Sequence, residues 1–382
     1  MNIRQYADHE RSVRPRRTLA SSSLVLIVVL SWTASSHAQG DQRRQSSDPK
    51  IPTLEALPHN PLPRGKFMDW CGQNDKLILE IDQKAEIYSE GVKASPLSFP
   101  LRSTLRCDDA GQKMAFVDEE SGYVSEVDIA GGMVTRTLAT YDKENTQGIA
   151  FSPDLKNVAS SKPLALGPSA LSLNVIALRG AEWRDINFVH WSRDSSRLFG
   201  VSAPEGKGNH GVVEIVSAQR RRLGSGALPA GFLFRDGWFA DSQSLYLYLV
   251  RARDEFGSGV IFKCAIEKWK CDQIADNVLG ASAGGNGMLA MVRAVGRYSN
   301  DGETETFPPS YLAEIRNGAS QVVARQTFKS VERRSFGIAV APSGMKAILT
   351  WWERAGPKCP PDERATGSCH AGIEIDLQGR SK

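Results

Sequence analysis

One short pattern recurs seven times along this 382-residue chain, and that repetition limits the folds open to it. The clearest copies are Gly148-Ile149-Ala150-Phe151-Ser152-Pro153-Asp154-Leu155-Lys156 and Gly337-Ile338-Ala339-Val340-Ala341-Pro342-Ser343-Gly344-Met345-Lys346. Each reads as an apolar strand, a Ser/Pro/Asp/Gly-type turn and a second apolar strand. Weaker copies centre on Asn74, Gly111, Ser195, Ser242 and Gly285, with steps of about 37, 44, 40, 47, 43 and 59 residues. A period near ~40–45 residues with four strands per unit is that of a propeller blade.

The second unit displays the plan. Lys113–Val117 is expected as a strand, 118–122 as a polar turn, and Tyr123–Ile129 alternates at the period of a half-buried strand. Gly131-Gly132 then leads into Met133–Tyr141. The fourth unit repeats it with Arg197–Ser202, Val212–Ser217 and Arg220–Leu223, and the fifth with Leu245–Val250, Gly259–Ile266 and Lys270–Ile274. A pair of β-sandwiches uses similar strands and turns, but does not repeat a four-strand unit. The expectation is an all-β, single seven-bladed β-propeller over residues 64–382, with six or eight blades as the alternative counts.

Phe151-Ser152-Pro153-Asp154, Trp191-Ser192-Arg193-Asp194 and Ala341-Pro342-Ser343-Gly344 resemble the F-S-P-D-G core of the WD40-like repeats in TolB-type propellers. The resemblance implies a fold superfamily and no particular function. TolB itself carries a separate α/β domain for which this chain has no room. The Trp-Asp and Gly-His signatures of eukaryotic WD40 blades are also missing.

The last unit supplies strands at Gly337–Ala341, Ala347–Glu353 and Gly372–Leu377, one short of four. Ile51–Leu57, in the polar, Pro-rich segment 39–63, is the expected filler that closes the ring from the N-terminus. The other reading of that segment is a plain linker.

Residues 1–38 have the layout of a signal peptide. Arg11, Arg14, Arg16 and Arg17 form a basic start, Leu24–Leu30 is unbroken apolar, and Ser36-His37-Ala38 suits cleavage after Ala38. The apolar run falls short of the ~20 residues that span a bilayer. The chain is thus expected to be periplasmic or secreted, with no membrane span and the choice between general and twin-arginine export left open. Cleavage removes five Arg, one Asp and one Glu, leaving 42 basic and 41 acidic residues. So even a balance argues against nucleic acid as partner, because phosphate binding needs surplus cations.

All six cysteines lie beyond residue 38, and an even number in an exported chain favours disulfides. Cys264 and Cys271 flank a hairpin turn, Cys359 and Cys369 bracket a Pro-rich loop, and Cys71 and Cys107 hold one repeat position in successive units. A zinc site is the alternative, but CxxC spacing is missing, so no metal and no cofactor are expected.

Motifs of catalysis are lacking: no nucleophile elbow, no H-E-x-x-H, no P-loop and no dinucleotide fingerprint. His190, in an inner strand of the fourth unit, is a candidate for the central channel or else a packing residue. The loops after the second strands of units five to seven are long, at 251–259, 293–310 and 353–371. They open on Arg251-Ala252, Arg293-Ala294 and Arg354-Ala355, with Arg253 and Arg297 following. Such loops are usually functional or disordered. Three guanidiniums on one arc would suit an anionic partner; local neutralisation by Asp254, Glu255, Glu353 and Glu363 is the other reading. The binding candidates are Arg251, Arg253, Arg293, Arg297, Trp352, Arg354, His210 and His370, for a protein, peptide or envelope component. A propeller hydrolase or lactonase and a small-anion binder are the rivals.

Overall fold

The computed structural model describes residues 51–378 apart from several connections, among them 141–148, 161–164, 167–173, 178–185, 203–210, 253–256, 301–304 and 360–367. Residues 1–50, which hold the expected signal peptide, and the candidates Arg253 and His210 lie outside the described residues.

Strands follow one another as antiparallel meanders, as expected of short alternating segments split by turn residues. Sheet A joins Lys66–Cys71, Lys76–Ile81 and Lys84–Ser89, with Val92–Lys93 and Phe99–Pro100 both on its outer edge. Sheet B joins Thr104–Cys107, Lys113–Asp118, Tyr123–Asp128 and Met133–Thr140, and Ala165–Leu166 pairs onto its last strand. Sheet C comprises Ile149–Phe151, Asn157–Ser160 and Asn174–Ala177, the last two running parallel. Sheet D is Ile186–Trp191, Arg197–Ser202, Val212–Ser217 and Arg222–Ala227. Here Arg220 is not strand but a left-handed turn residue, with φ at 67°.

Sheet E has seven strands, from Phe232–Phe239 to Val322–Lys329. Its fourth, Lys270–Ala283, is unusually long. The first half pairs with Gly259–Ala265 and the second with Leu289–Val295, and the register shifts between Val278 and Gly280. Positive φ at Asn277 (52°) marks the place where the chain passes from one four-strand unit to the next. Sheet F contains Arg334–Val340, Lys346–Arg354 and Ser368–Asp376.

The missing fourth strand of sheet F is His59–Pro61, with His59 opposite Ile375 and Pro61 opposite Ile373. This corrects the expectation for Ile51–Leu57. That segment instead carries a short 3-10 turn, Leu54–Ala56, and drives Leu54 (0% exposed) into the core. Arg325 N donates to Pro52 O at 3.2 Å and Glu55 N to Gln326 Oε1 at 2.8 Å, so the segment rides on the outer strand of sheet E. Its apolar residues serve packing, and the short polar stretch after it supplies the backbone pairing.

Apolar side chains gather between successive sheets. Cys71, Ile78 and Ile87 meet Cys107, Met114 and Val127 between A and B. Val124 and Leu138 meet Phe151 and Val158 between B and C, and Ala159 meets Leu198 and Val216 between C and D. Phe199 and Ile215 face Leu247 and Phe262 between D and E. Within E, Tyr246, Tyr248 and Ile261 pack on Val278, Leu289 and Met291. Val292, Tyr311 and Phe328 pack on Phe336, Leu349 and Trp351 between E and F. Finally Ala339 and Ile348 of F meet Trp70, Leu77 and Leu79 of A. The last contact returns to the first sheet, so the arrangement is an all-β propeller ring. Buried Tyr248 and Tyr246 find acceptors in Val278 O (3.0 Å) and Gly287 O (3.2 Å), as burial of a phenol requires.

All three expected disulfides are present: Cys71–Cys107, Cys264–Cys271 and Cys359–Cys369. They fit an oxidising, extracellular or periplasmic location. Among the described residues, no helix is long and apolar enough to cross a membrane.

Candidate functional site

The recurring turns explain the repeat and define one end of the ring. Ser192 Oγ donates to Asp194 Oδ1 at 2.6 Å and accepts from Arg197 N at 2.9 Å, while Ser196 N donates to Asp194 Oδ1 at 3.1 Å. Ser152 and Asp154 make the same bonds at 2.5, 2.9 and 3.1 Å. Burial alone would raise the pKa of Asp194, but the Ser192 and Ser196 donors outweigh it and hold the carboxyl below its usual range. The next residue must be left-handed, with φ at 55° for Leu155, 57° for Ser195, 61° for Gly111 and 73° for Gly344. Glycine at this place in two copies follows from that requirement.

Turns also bond to their neighbours. Asp154 N donates to Ser195 Oγ (3.1 Å), Gln73 N to Asp109 O (2.7 Å), and Ser343 Oγ to Asp75 Oδ2 (2.5 Å). An open depression of ≈ 520 Å³ at this end is lined by Asp154, Asp194, Ser195, Gln219 and Arg220, among others.

The inner strands bring charged groups together along the central channel. Asp69 and Asp236 sit at register shifts in the first strands of sheets A and E, and each Oδ1 accepts the following backbone N–H at 2.8 Å. A bulge re-aims the side chain it carries. Asp236 Oδ1 stands 3.5 Å from His190 Nε2 of sheet D, and Asp69, from a sheet that is not a neighbour of E, adds its charge to the surroundings of Asp236. The His190 ring stacks on Phe199 with centroids 5.2 Å apart and meets Phe234 edge-on. Burial lowers its pKa to about 4, with the charge of Arg106 pressing the same way.

Burial raises the pKa of Asp236 to about 7, partly offset by the Gly237 N–H. The contact with His190 is therefore between uncharged partners over much of the acid range rather than an ion pair. An acid whose folded pKa lies above its ordinary 3.8 contributes stability below about pH 4 and loses it as pH rises through 7. Asp236→Asn keeps the acceptor for Gly237. It should leave the melting temperature unchanged near pH 4 and stabilise the fold above pH 7 by roughly 2–4 kcal/mol, at ~1.4 kcal/mol per pKa unit. Melting curves at pH 4 and 8 check this; equal shifts at both would refute it.

Two guanidiniums complete the channel. Arg106 lies in the first strand of sheet B and Arg193 in the turn of sheet D that carries Arg where the motif has Pro. A Cβ on Gly285 of sheet E would overlap Arg193 Nη1, and the same point stands 2.6 Å from Pro342 O of sheet F. Arg193 thus crosses from sheet D to the turns of E and F. Burial lowers its pKa, Asp109 and Asp75 raise it, and Arg106 lowers it further.

The opposite end holds the sequence-predicted residues. Arg251 is exposed, its guanidinium 5.8 Å from the Phe232 centroid. Arg293 donates from Nε to Asp276 O at 2.9 Å and pairs with the Asp276 carboxylate, which neutralises it locally. Arg297 is exposed in the connection 296–309, which also holds the small ribbon Ser299–Asn300 and Glu305–Thr306. Trp352 and His370 face one another with ring centroids 3.7 Å apart, next to the Cys359–Cys369 bridge. Arg354 ends the strand Lys346–Arg354. The connection 203–211 in sheet D is also long, whereas 82–83 and 119–122 are short. Among the described residues, no group of three or more His, Cys, Asp or Glu is placed to hold a metal ion.

Fold and channel define an all-β propeller. No protein-family model and no curated protein matches the chain. Among solved structures, hydrazine synthase of Kuenenia stuttgartiensis is similar with a TM-score of 0.50 and 12% identity, over 81% of this chain and 96% of that one. A structure from work on two prolyl endopeptidases gives 0.48 at 12% identity, over 85% of this chain and 53% of that one. The β-propeller domain of the Trilobed protease from Pyrococcus furiosus gives 0.35 at 11%, over 77% and 79%. Likeness at such identity concerns the fold alone.

Proposed function

We propose that this chain is an exported, non-enzymatic, seven-bladed propeller of the TolB-like repeat type, cleaved after Ala38, which binds a protein or peptide of the cell envelope through its long-loop end. Among the described residues, seven apolar clusters, six between successive sheets and one within sheet E, support the blade count, with Lys270–Ala283 shared between two blades of sheet E. The observation that carries the binding surface is the asymmetry of the two ends. Turns at one end are short and bonded to each other, whereas the other end raises long connections around Arg251, Arg297, Trp352 and His370. Aromatic and Arg side chains are the residue types that anchor interfaces. Arg354, with Arg253 and His210, belongs to the same proposed surface, and exposed Arg there suits an anionic patch on the partner.

A photo-crosslinking residue placed at Arg297 or Trp352 in living cells should yield a discrete adduct. The same residue at Lys156 or Gln219, on the turn end, should yield none. Added salt should weaken capture of the partner by the purified chain, since exposed charges are screened. Adducts confined to Lys156 and Gln219 would move the working surface to the opposite end.

A further inference from the structure

We infer that the central channel is a blind pocket that binds a small monocarboxylate, with Arg106 and Arg193 holding the carboxylate at its closed end. Arg193 lies against Gly285 and the Pro342–Ser343 backbone, across the ring from its own sheet, and so stops the channel at the turn end. Nη2 of Arg193 and Nε of Arg106 are both buried, and neither has a hydrogen-bond partner among the described residues. A charged donor left without an acceptor is costly, so two in one place point to an acceptor that completes them. Arg106 lies within electrostatic reach of both Arg193 and His190, although it belongs to sheet B and they belong to sheet D, which is not its neighbour. Only the channel allows that meeting.

The surroundings select the charge of the ligand. Asp75 and Asp109 act on Arg193, and Asp69 and Asp236 lie further along the channel. Asp75 is already engaged, accepting from Ser343 N at 3.2 Å and from Ser343 Oγ at 2.5 Å. A dianion such as phosphate would face the carboxylates of Asp75, Asp109 and Asp69, whereas a single carboxylate presents two acceptor oxygens to the two guanidiniums with half that repulsion. Phe234, partly buried and edge-on to the His190 ring, gives the wall apolar surface for the remainder of the ligand. The site is independent of the partner surface proposed above, and either can fail alone.

The test is calorimetric titration of the purified chain, lacking residues 1–38, with acetate, trialanine, trialanine amide and inorganic phosphate. Acetate and trialanine should bind, the amide should not, and phosphate should bind more weakly than either acid. Preference for trialanine would identify a peptide C-terminus as the source of the carboxylate, and equal affinity a free acid. Arg106→Gln and Arg193→Gln should each weaken acetate at least tenfold. Arg251→Ala should change nothing. Circular dichroism establishes that each variant is folded, and the amide comparison on the unmodified chain needs no variant. Absence of carboxylate binding, binding of acid and amide alike, tighter binding of phosphate, or full affinity in folded Arg variants would overturn the proposal.

Discussion

Replacing Cys71 and Cys107 together by Ala should cost about 4 kcal/mol of stability, the largest loss among the three disulfides. The bond joins the innermost strands of two successive sheets across 36 residues, whereas the other two close only 7 and 10. In the chain-entropy account the stabilisation grows with the logarithm of the closed loop, giving about 4 kcal/mol for the long one and about 2.5 for each short one. Context widens the gap. Cys264 and Cys271 are direct cross-strand partners in a hairpin that the ladder already holds in register. Cys71 and Cys107 (0% and 5% exposed) sit in the apolar cluster between sheets A and B, where each truncated side chain also leaves unfilled space. Besides packing, the contacts between these sheets include Gln73 N to Asp109 O (2.7 Å) and Lys76 Nζ to Gly111 O (2.8 Å). Guanidinium unfolding of the two double variants, Cys71→Ala/Cys107→Ala and Cys264→Ala/Cys271→Ala, measures the difference. A greater loss from the Cys264–Cys271 pair would show that loop closure is not what the long disulfide contributes.

The architecture was legible because its signals are local and repeated. Alternation placed Lys113–Asp118, Tyr123–Asp128, Arg197–Ser202 and Val212–Ser217 to within a residue, and the turn motif set the register between units. A hairpin turn paired Cys264 with Cys271, a bracketed loop paired Cys359 with Cys369, and a shared repeat position paired Cys71 with Cys107. What escaped depends on distant contacts. The strand Lys270–Ala283 carries the turn-type pair Asp276-Asn277 at its midpoint, so it reads as an outer strand that ends at Ile274. The ring-closing strand His59–Pro61 is polar and only three residues long, because an edge strand needs only backbone pairing, and proline is tolerated there.

The channel was half legible. His190 was a candidate by its place in an inner strand, but Asp236, which meets it at 3.5 Å, comes from the next sheet. A signal for the arginines was nevertheless present. When the units are superposed, Arg106 and His190 fall at one register position, directly before Cys107 and Trp191. In the same superposition, Arg193 stands where Ser152-Pro153-Asp154 has proline. A departure from a repeat at a position that structure alone would leave to Pro is the kind of residue a ligand explains. The rim arginines stand out by the opposite signal, similarity between units. Arg293 illustrates the limit of that signal, since its bond to Asp276 depends on a carboxylate 17 residues away in sequence.

Removing residues 39–61 should both destabilise the ring and make it aggregate, and the two effects should separate in a second variant. The deleted stretch makes two different contributions. Leu54 (0% exposed) fills the cluster between sheets E and F among Val292, Phe328, Leu349 and Ile375. Leu54→Ala alone should therefore cost about 3 kcal/mol, within the range for a buried Leu that leaves a cavity. His59–Pro61 contributes pairing, with Asp376 N donating to Pro58 O at 2.8 Å and Leu62 N to Gly372 O at 2.9 Å. Without it, the strand Ser368–Asp376 becomes an open edge, a template for pairing with another molecule. Leu54→Ala keeps that edge covered, so it should melt earlier yet remain monomeric. The deleted chain should melt earlier still and form larger species as concentration rises. Scanning calorimetry and light scattering of both variants at several concentrations read the two effects apart. If the deletion leaves the melting temperature where it was, the N-terminal segment is a tether and the ring is closed without it.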